Sequence, residues 1–277
     1  MSIFWAAIRN EFSKYARQKF PYLGMAAVIL LALFWPRSMH HMGNPEVKPS
    51  GFEMTIKGAI SAVTSVIPLF AVIFASVMVA SETAGGTYRN ILARPIRRAT
   101  FLTAKILFSF GYVLLLVALY VVVAVPVISG QYGFGPIRDD GAVVYSFGRI
   151  LGISLWAGAL TLVPLFAITS YGILVSTASK SLTSAVGVGV GLFIASEPLK
   201  YLIRWHDWDL SDYVFTTYRD TALKIADQAA SGFDYEWLPG GWWTSELGWG
   251  LTLSLVCMAI FLGASYTIFL RRDLNFS

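Results

Sequence analysis

Cysteine is almost missing from this 277-residue chain: Cys257 stands alone. A single thiol excludes an intrachain disulfide framework, and no Cys/His cluster has zinc-ligand spacing. The three histidines, His40, His41 and His206, all lie outside the long apolar runs. No buried Ser/His/Asp or paired-carboxylate constellation is in view, which argues against a membrane enzyme. There is no G-x-x-x-x-G-K-[ST] phosphate loop, so ATP hydrolysis by that chemistry is excluded for this chain itself. Charge is also scarce. Charged residues make up 13% of the chain, against about 25% in an average soluble protein.

What is abundant is apolar: 56% hydrophobic residues, with a mean hydropathy of +0.63. The apolar residues fall into long runs rather than periodic stripes. A run of about 18 or more with few charges crosses the roughly 30 Å hydrocarbon core as a helix. Six are expected, over Phe20–Trp35, Ala59–Ala80, Ile106–Ile128, Ile150–Val175, Ser184–Ile203 and Leu247–Leu270. The first is the shortest. A cleavable signal peptide is its rival, disfavoured because Glu11 and an aromatic-rich stretch precede it and no A-x-A-like site follows. The fold class expected is all-α and polytopic, one transmembrane domain over residues 1–277.

Loop charge sets the orientation. With six spans and the N-terminus inside, segments 1–19, 81–105, 176–183 and 271–277 share one side. They hold twelve basic residues against Glu11, Glu82 and Asp273 only. The remainder of the chain is net acidic. Both termini are therefore expected in the cytosol of a cell with this protein in its cytoplasmic membrane. The basic pI of about 9.3 is accounted for by that face, so no nucleic-acid partner is expected.

Outside the spans, residues 3–18 have helical spacing. Phe4, Ile8, Phe12 and Tyr15 form a stripe, with Arg9, Lys14 and Arg17 off it. Such a helix lies in the headgroup plane, its cations near anionic lipid. Between the fifth and sixth runs, Arg204–Ser245 is rich in Trp and Tyr, which favour the interfacial belt. Within it, residues 211–229 read as an amphipathic helix with an Asp220–Lys224 pair at i,i+4. The bland role for this region is a lid resting on the outer leaflet.

Ser81–Thr100 is the longest cytosolic connection. It runs from Glu82 through a Gly85–Gly86 break, a short helical stretch Thr87–Ala93, and a turn at Pro95 to Arg97 and Arg98. The series Glu82, Gly86, Thr87, Leu92, Arg94, Pro95, Arg98 and Lys105 resembles the second cytosolic stretch of ABC-2 type ABC-transporter permeases. The chain end, Phe269-Leu-Arg-Arg-Asp-Leu274, is similar to the close of many of them. The resemblance implies a coupling loop shaped by Glu82, Gly86, Thr87, Arg94, Pro95 and Arg98 that seats in a separate cytosolic ATPase. It also implies a second permease copy, or a homologous one, completing a dimer. ATP and Mg would be bound by the ATPase; this chain is expected to hold no cofactor. The competing class is an ATP-independent carrier or scaffold, or a permease-like subunit serving copper-enzyme maturation. The substrate is not legible.

Four further features carry expectations. Glu197 pairs with Lys200 near the end of the fifth span. Gly187, Gly189 and Gly191 leave a flat helix face, for packing within one subunit or between two. Pro164 bends the fourth span. Met39-His40-His41-Met42, in the first outer loop, offers soft sulfur and imidazole to copper, but four adjacent residues do not easily turn toward one ion.

Overall fold

The computed structural model describes residues 3–42, 49–84, 98–139, 142–205, 208–232 and 245–271. Helix α1 (Ile3–Tyr15) precedes the first span, α2 (Phe20–Met42). The second span is α3 (Gly51–Ser61), a π-helical turn (Ala62–Val66) and α4 (Ile67–Ala84). Then come α5 (Arg98–Ser129), a hairpin of β1 (Ile137–Asp139) and β2 (Ala142–Tyr145), α6 (Phe147–Ala178) and α7 (Leu182–Leu202). A two-residue ribbon follows, β3 (Arg204–Trp205) with β4 (Trp208–Asp209), then two 3₁₀ turns, α8 (Thr221–Ala230) and α9 (Ser245–Arg271).

Among the described residues, six helices, α2, α3–α4, α5, α6, α7 and α9, are long and apolar enough to cross a membrane. Each contains one expected run or nearly all of it, and two begin well before it. The second starts at Gly51 because α3 carries its charges as an i,i+4 pair, Lys57 with Glu53. The third starts at Arg98 because Lys105 is neutralised inside the fold. Charge ends an apolar run in sequence, whereas a helix tolerates charge that is paired. The first span is also longer than its run, and Met39–Met42 form the end of α2 rather than a loop.

Helix α4 is the centre of the bundle, with Ala71, Val72, Phe74, Ala75, Met78 and Val79 buried. It packs against α6, α7 and α5. A Cβ on Gly172 of α6 would lie 2.7 Å from Ala75 Cβ and 3.1 Å from the Val72 carbonyl, so only glycine permits that approach. Ser176, one turn on, donates to the Ser76 carbonyl (2.7 Å) and accepts from the Val79 and Ala80 amides (2.9 and 3.0 Å). Of the α7 glycines, Gly189 meets Ser76, while Gly187 and Gly191 face open space. The expected flat face is thus divided between the chain's own core and its surface. Helix α6 continues through Pro164 from Phe147 to Ala178.

Two local expectations differ. The hairpin of β1 and β2, with Asp139 opposite Ala142, adds a small antiparallel ribbon to the expected helices. The amphipathic helix is α8 alone, ten residues long, with 3₁₀ turns at Leu210–Tyr213 and Phe215–Tyr218 in place of its first half. Its buried side, Ala222, Leu223, Ile225, Ala226 and Ala229, packs on α3 and α6, and an exposed Lys224 pairs at 3.0 Å with a buried Asp220.

Candidate functional site

The stretch 85–97, with Gly86, Thr87, Arg94 and Pro95, lies outside the described residues. Its two ends are described, and they converge. Glu82 is in the last turn of α4, and Arg98 opens α5 two turns before Lys105.

Lys105 is 0% exposed, its ammonium 4.8 Å from the centre of the Phe101 ring. An unpaired charge there would be prohibitive. Lys105 Nζ donates to Glu82 Oε1 at 2.9 Å and to Glu11 Oε1 of α1 at 3.0 Å. Lys14, one turn along α1, donates from a more exposed position to the same Glu82 oxygen at 2.8 Å. Two acids and two bases thus balance, joining α1, the end of α4 and the start of α5. Attraction in a dry site has to offset desolvation, and here it rests on Oε1 of each acid, since Glu11 Oε2 and Glu82 Oε2 are buried without a hydrogen-bond partner.

Aromatic packing surrounds the knot. The buried Tyr15 ring lies 5.2 Å from Phe74 of α4 and 5.6 Å from Phe108 of α5. Burial, reinforced by the nearby Glu11 charge, holds the Tyr15 hydroxyl well above the ordinary phenol range, so it stays protonated. Phe74 stacks on Tyr112 at 4.1 Å, and the Tyr112 hydroxyl donates to the Pro21 carbonyl of α2 at 2.9 Å. Four helices are therefore fastened at one end of the bundle.

Two parts of this site were missed in sequence. The expected stripe on α1 is divided: its Tyr15 turns inward together with Glu11, which lies off the stripe, while Phe12 is 64% exposed. Glu11 replaces an apolar contact with a charged one because Lys105 waits opposite it. The sequence signal was Lys105 at the border of the third expected run, a basic residue that requires a partner once the helix encloses it, without saying which. Arg98 is partly buried at the α5 terminus.

A second polar cluster lies at the other end. Glu197 pairs with Lys200 as expected (3.0 Å), and also with Arg219 (2.7 Å), tying α7 to the segment before α8. Lys200, itself buried, reaches Thr216 Oγ1 at 3.3 Å. On α8, burial raises the Asp227 carboxyl to about 6, with Lys57 opposing the rise and Glu53 adding to it. Among the described residues there is no group of His, Cys, Asp and Glu able to hold a metal ion.

The knot joins α1, α4 and α5 through ion pairs. A family model described as ABC-2 family transporter protein matches residues 7–199, from within α1 almost to the end of α7. No curated protein matches the chain.

Proposed function

The chain belongs to the ABC-2 transporter family, and on that premise we propose that it is the membrane subunit of an ATP-driven exporter. A separate cytosolic ATPase binds ATP and Mg and seats on the 82–98 connection, which Glu82, Gly86, Thr87, Arg94, Pro95 and Arg98 shape. Both termini lie in the cytosol, the subunit resides in the cytoplasmic membrane, and a second permease copy or a homologue completes the pathway.

The observation that carries this reading is the Glu11–Lys105–Glu82–Lys14 knot. A loop that only connected two spans would need no buried ion pairs at its base. A loop that receives force needs its ends fixed to each other and to the bundle, or the displacement is lost in local bending. The pairs supply that stiffness, and α1 adds a third attachment. ATP-driven closure of two ATPases would then rock α4 and α5 as rigid bodies.

Co-purification of an ABC ATPase, with its hydrolysis measured in reconstituted membranes, tests this. Replacing residues 82–98 by a Gly/Ser linker is expected to release the ATPase. Glu82→Gln is expected to retain it while uncoupling its hydrolysis from the permease. Full retention and coupling after loop replacement would overturn the proposal.

A further inference from the structure

A cavity of about 310 Å³ lies between α3, α5 and α6 at the end of the bundle opposite the charge knot, with Leu223 of α8 on its wall. Its lining runs along the second span from Phe52 to Ile67, roughly 20 Å of helix at 1.5 Å per residue. The π-helical turn contributes Ala62 and Val63 to the wall. Such turns widen a helix locally and often occur where a ligand sits.

The lining is apolar, and its few hydroxyls are already committed. Thr55 donates to the Gly51 carbonyl, Ser154 to Ile150, Thr161 to Ala157, and Tyr120 to Thr55, at 2.8–3.0 Å. Among the described residues, no charged side chain faces in. Nothing on the wall would hold a peptide, a sugar, an ion or ordered water, and apolar cavities of this kind stay dry. The mouth is marked by the lining residues that remain exposed, Val121 of α5 with Phe147, Leu151 and Leu155 of α6. These lie on spanning helices, so the medium at the mouth is hydrocarbon. A helix of a second copy is about 10 Å across, and a space of about 310 Å³ drawn out along the second span has no room for one. A single hydrocarbon chain fits.

We infer that this cavity is a lipid site: an acyl chain of a membrane phospholipid enters between α5 and α6 and extends along the π-helical turn. Lipid tails are as apolar as the wall, so retention rests on shape and packing rather than on escape from water. Recognition therefore ignores the headgroup. The chain's contact with Leu223 also makes the seating of α8 sensitive to occupancy. None of this depends on how the ATPase is coupled.

The test uses the full chain in nanodiscs doped with phosphatidylcholine carrying a diazirine at the end of one acyl chain, with adducts mapped by mass spectrometry. Adducts are expected to concentrate on Val63, Val117, Tyr120 and Leu155, several-fold above Leu255 and Ile260 on the exposed face of α9. A Cβ at Gly158 meets no atom within 4 Å, so Gly158→Phe fills the cavity without an initial clash. It should remove the cavity adducts several-fold and leave those on α9. Leu155→Trp, at the exposed rim, is a second block that spares the packed interior. Phosphatidylglycerol with the same labelled chain should give the same pattern. Equal labelling of α9 and the cavity would overturn the inference, as would adducts that survive both blocks or depend on the headgroup. So would disulfide formation between two copies at Leu155→Cys in place of lipid labelling.

Discussion

Lys105 carries a full charge to a place that water does not reach, and it is tolerated because two carboxylates meet it there. Removing it leaves Glu11 and Glu82 facing each other with only Lys14 beside them. Lys105→Met is therefore expected to destabilise the bundle by about 3–5 kcal/mol, read as a lowered Tm in detergent. Adding Glu11→Gln should restore part of the loss, since one uncompensated charge disappears; no recovery would refute the pairing. At the other end, Asp227 gives a pH test. Its folded-state pKa, about 6, exceeds the ordinary 3.8, so the folded form binds the proton more tightly. The carboxyl therefore disfavours folding once ionised, and stability falls as pH rises from about 4 to 6. The change is about 1 kcal/mol after solvent screening. Asp227→Asn should flatten that segment of the Tm–pH curve.

Among elements, α4 and α6 approach closely at Gly172. Gly172→Val places a branched side chain against Ala75 and the Val72 carbonyl, and should cost about 1–3 kcal/mol or force the helices apart. Gly187→Val meets nothing in the chain and should leave Tm unchanged. Equal effects from the two would show that the packing is wrong. Ser176→Ala is milder but diagnostic. It removes the acceptor of the Val79 and Ala80 amides inside the bundle, for about 1–3 kcal/mol. These contacts explain why α3–α4 is the most enclosed span although its sequence is as apolar as the rest. Long apolar runs announced every span, because hydrocarbon demands continuous apolar surface. Which glycine is a contact and which a surface was not legible, since that depends on helix rotation about an axis that no local pattern defines.

For the whole molecule, the six helices place Ala84, Arg98 and Arg271 at one end of the bundle, with the β1–β2 hairpin and α8 at the other. In a Cys257→Ser background, single cysteines at Lys180 and Gln131 should react with an impermeant thiol reagent from opposite faces. In intact cells Gln131→Cys should be labelled and Lys180→Cys protected. Labelling of both from outside would overturn the threading.

The number of spans, their order and the asymmetry of basic charge were determined by sequence alone, because burial in hydrocarbon is decided residue by residue along a helix. Glu82 and Lys105 were also visible there, as parts of a familiar spacing. The partnership of Lys105 with Glu11, across 94 residues, was decided only by tertiary structure. So were the inward turn of α1 and the cavity beside the π-helical turn. Each depends on which faces of distant helices meet, and an ion pair or a void has no sequence signature until its walls are assembled.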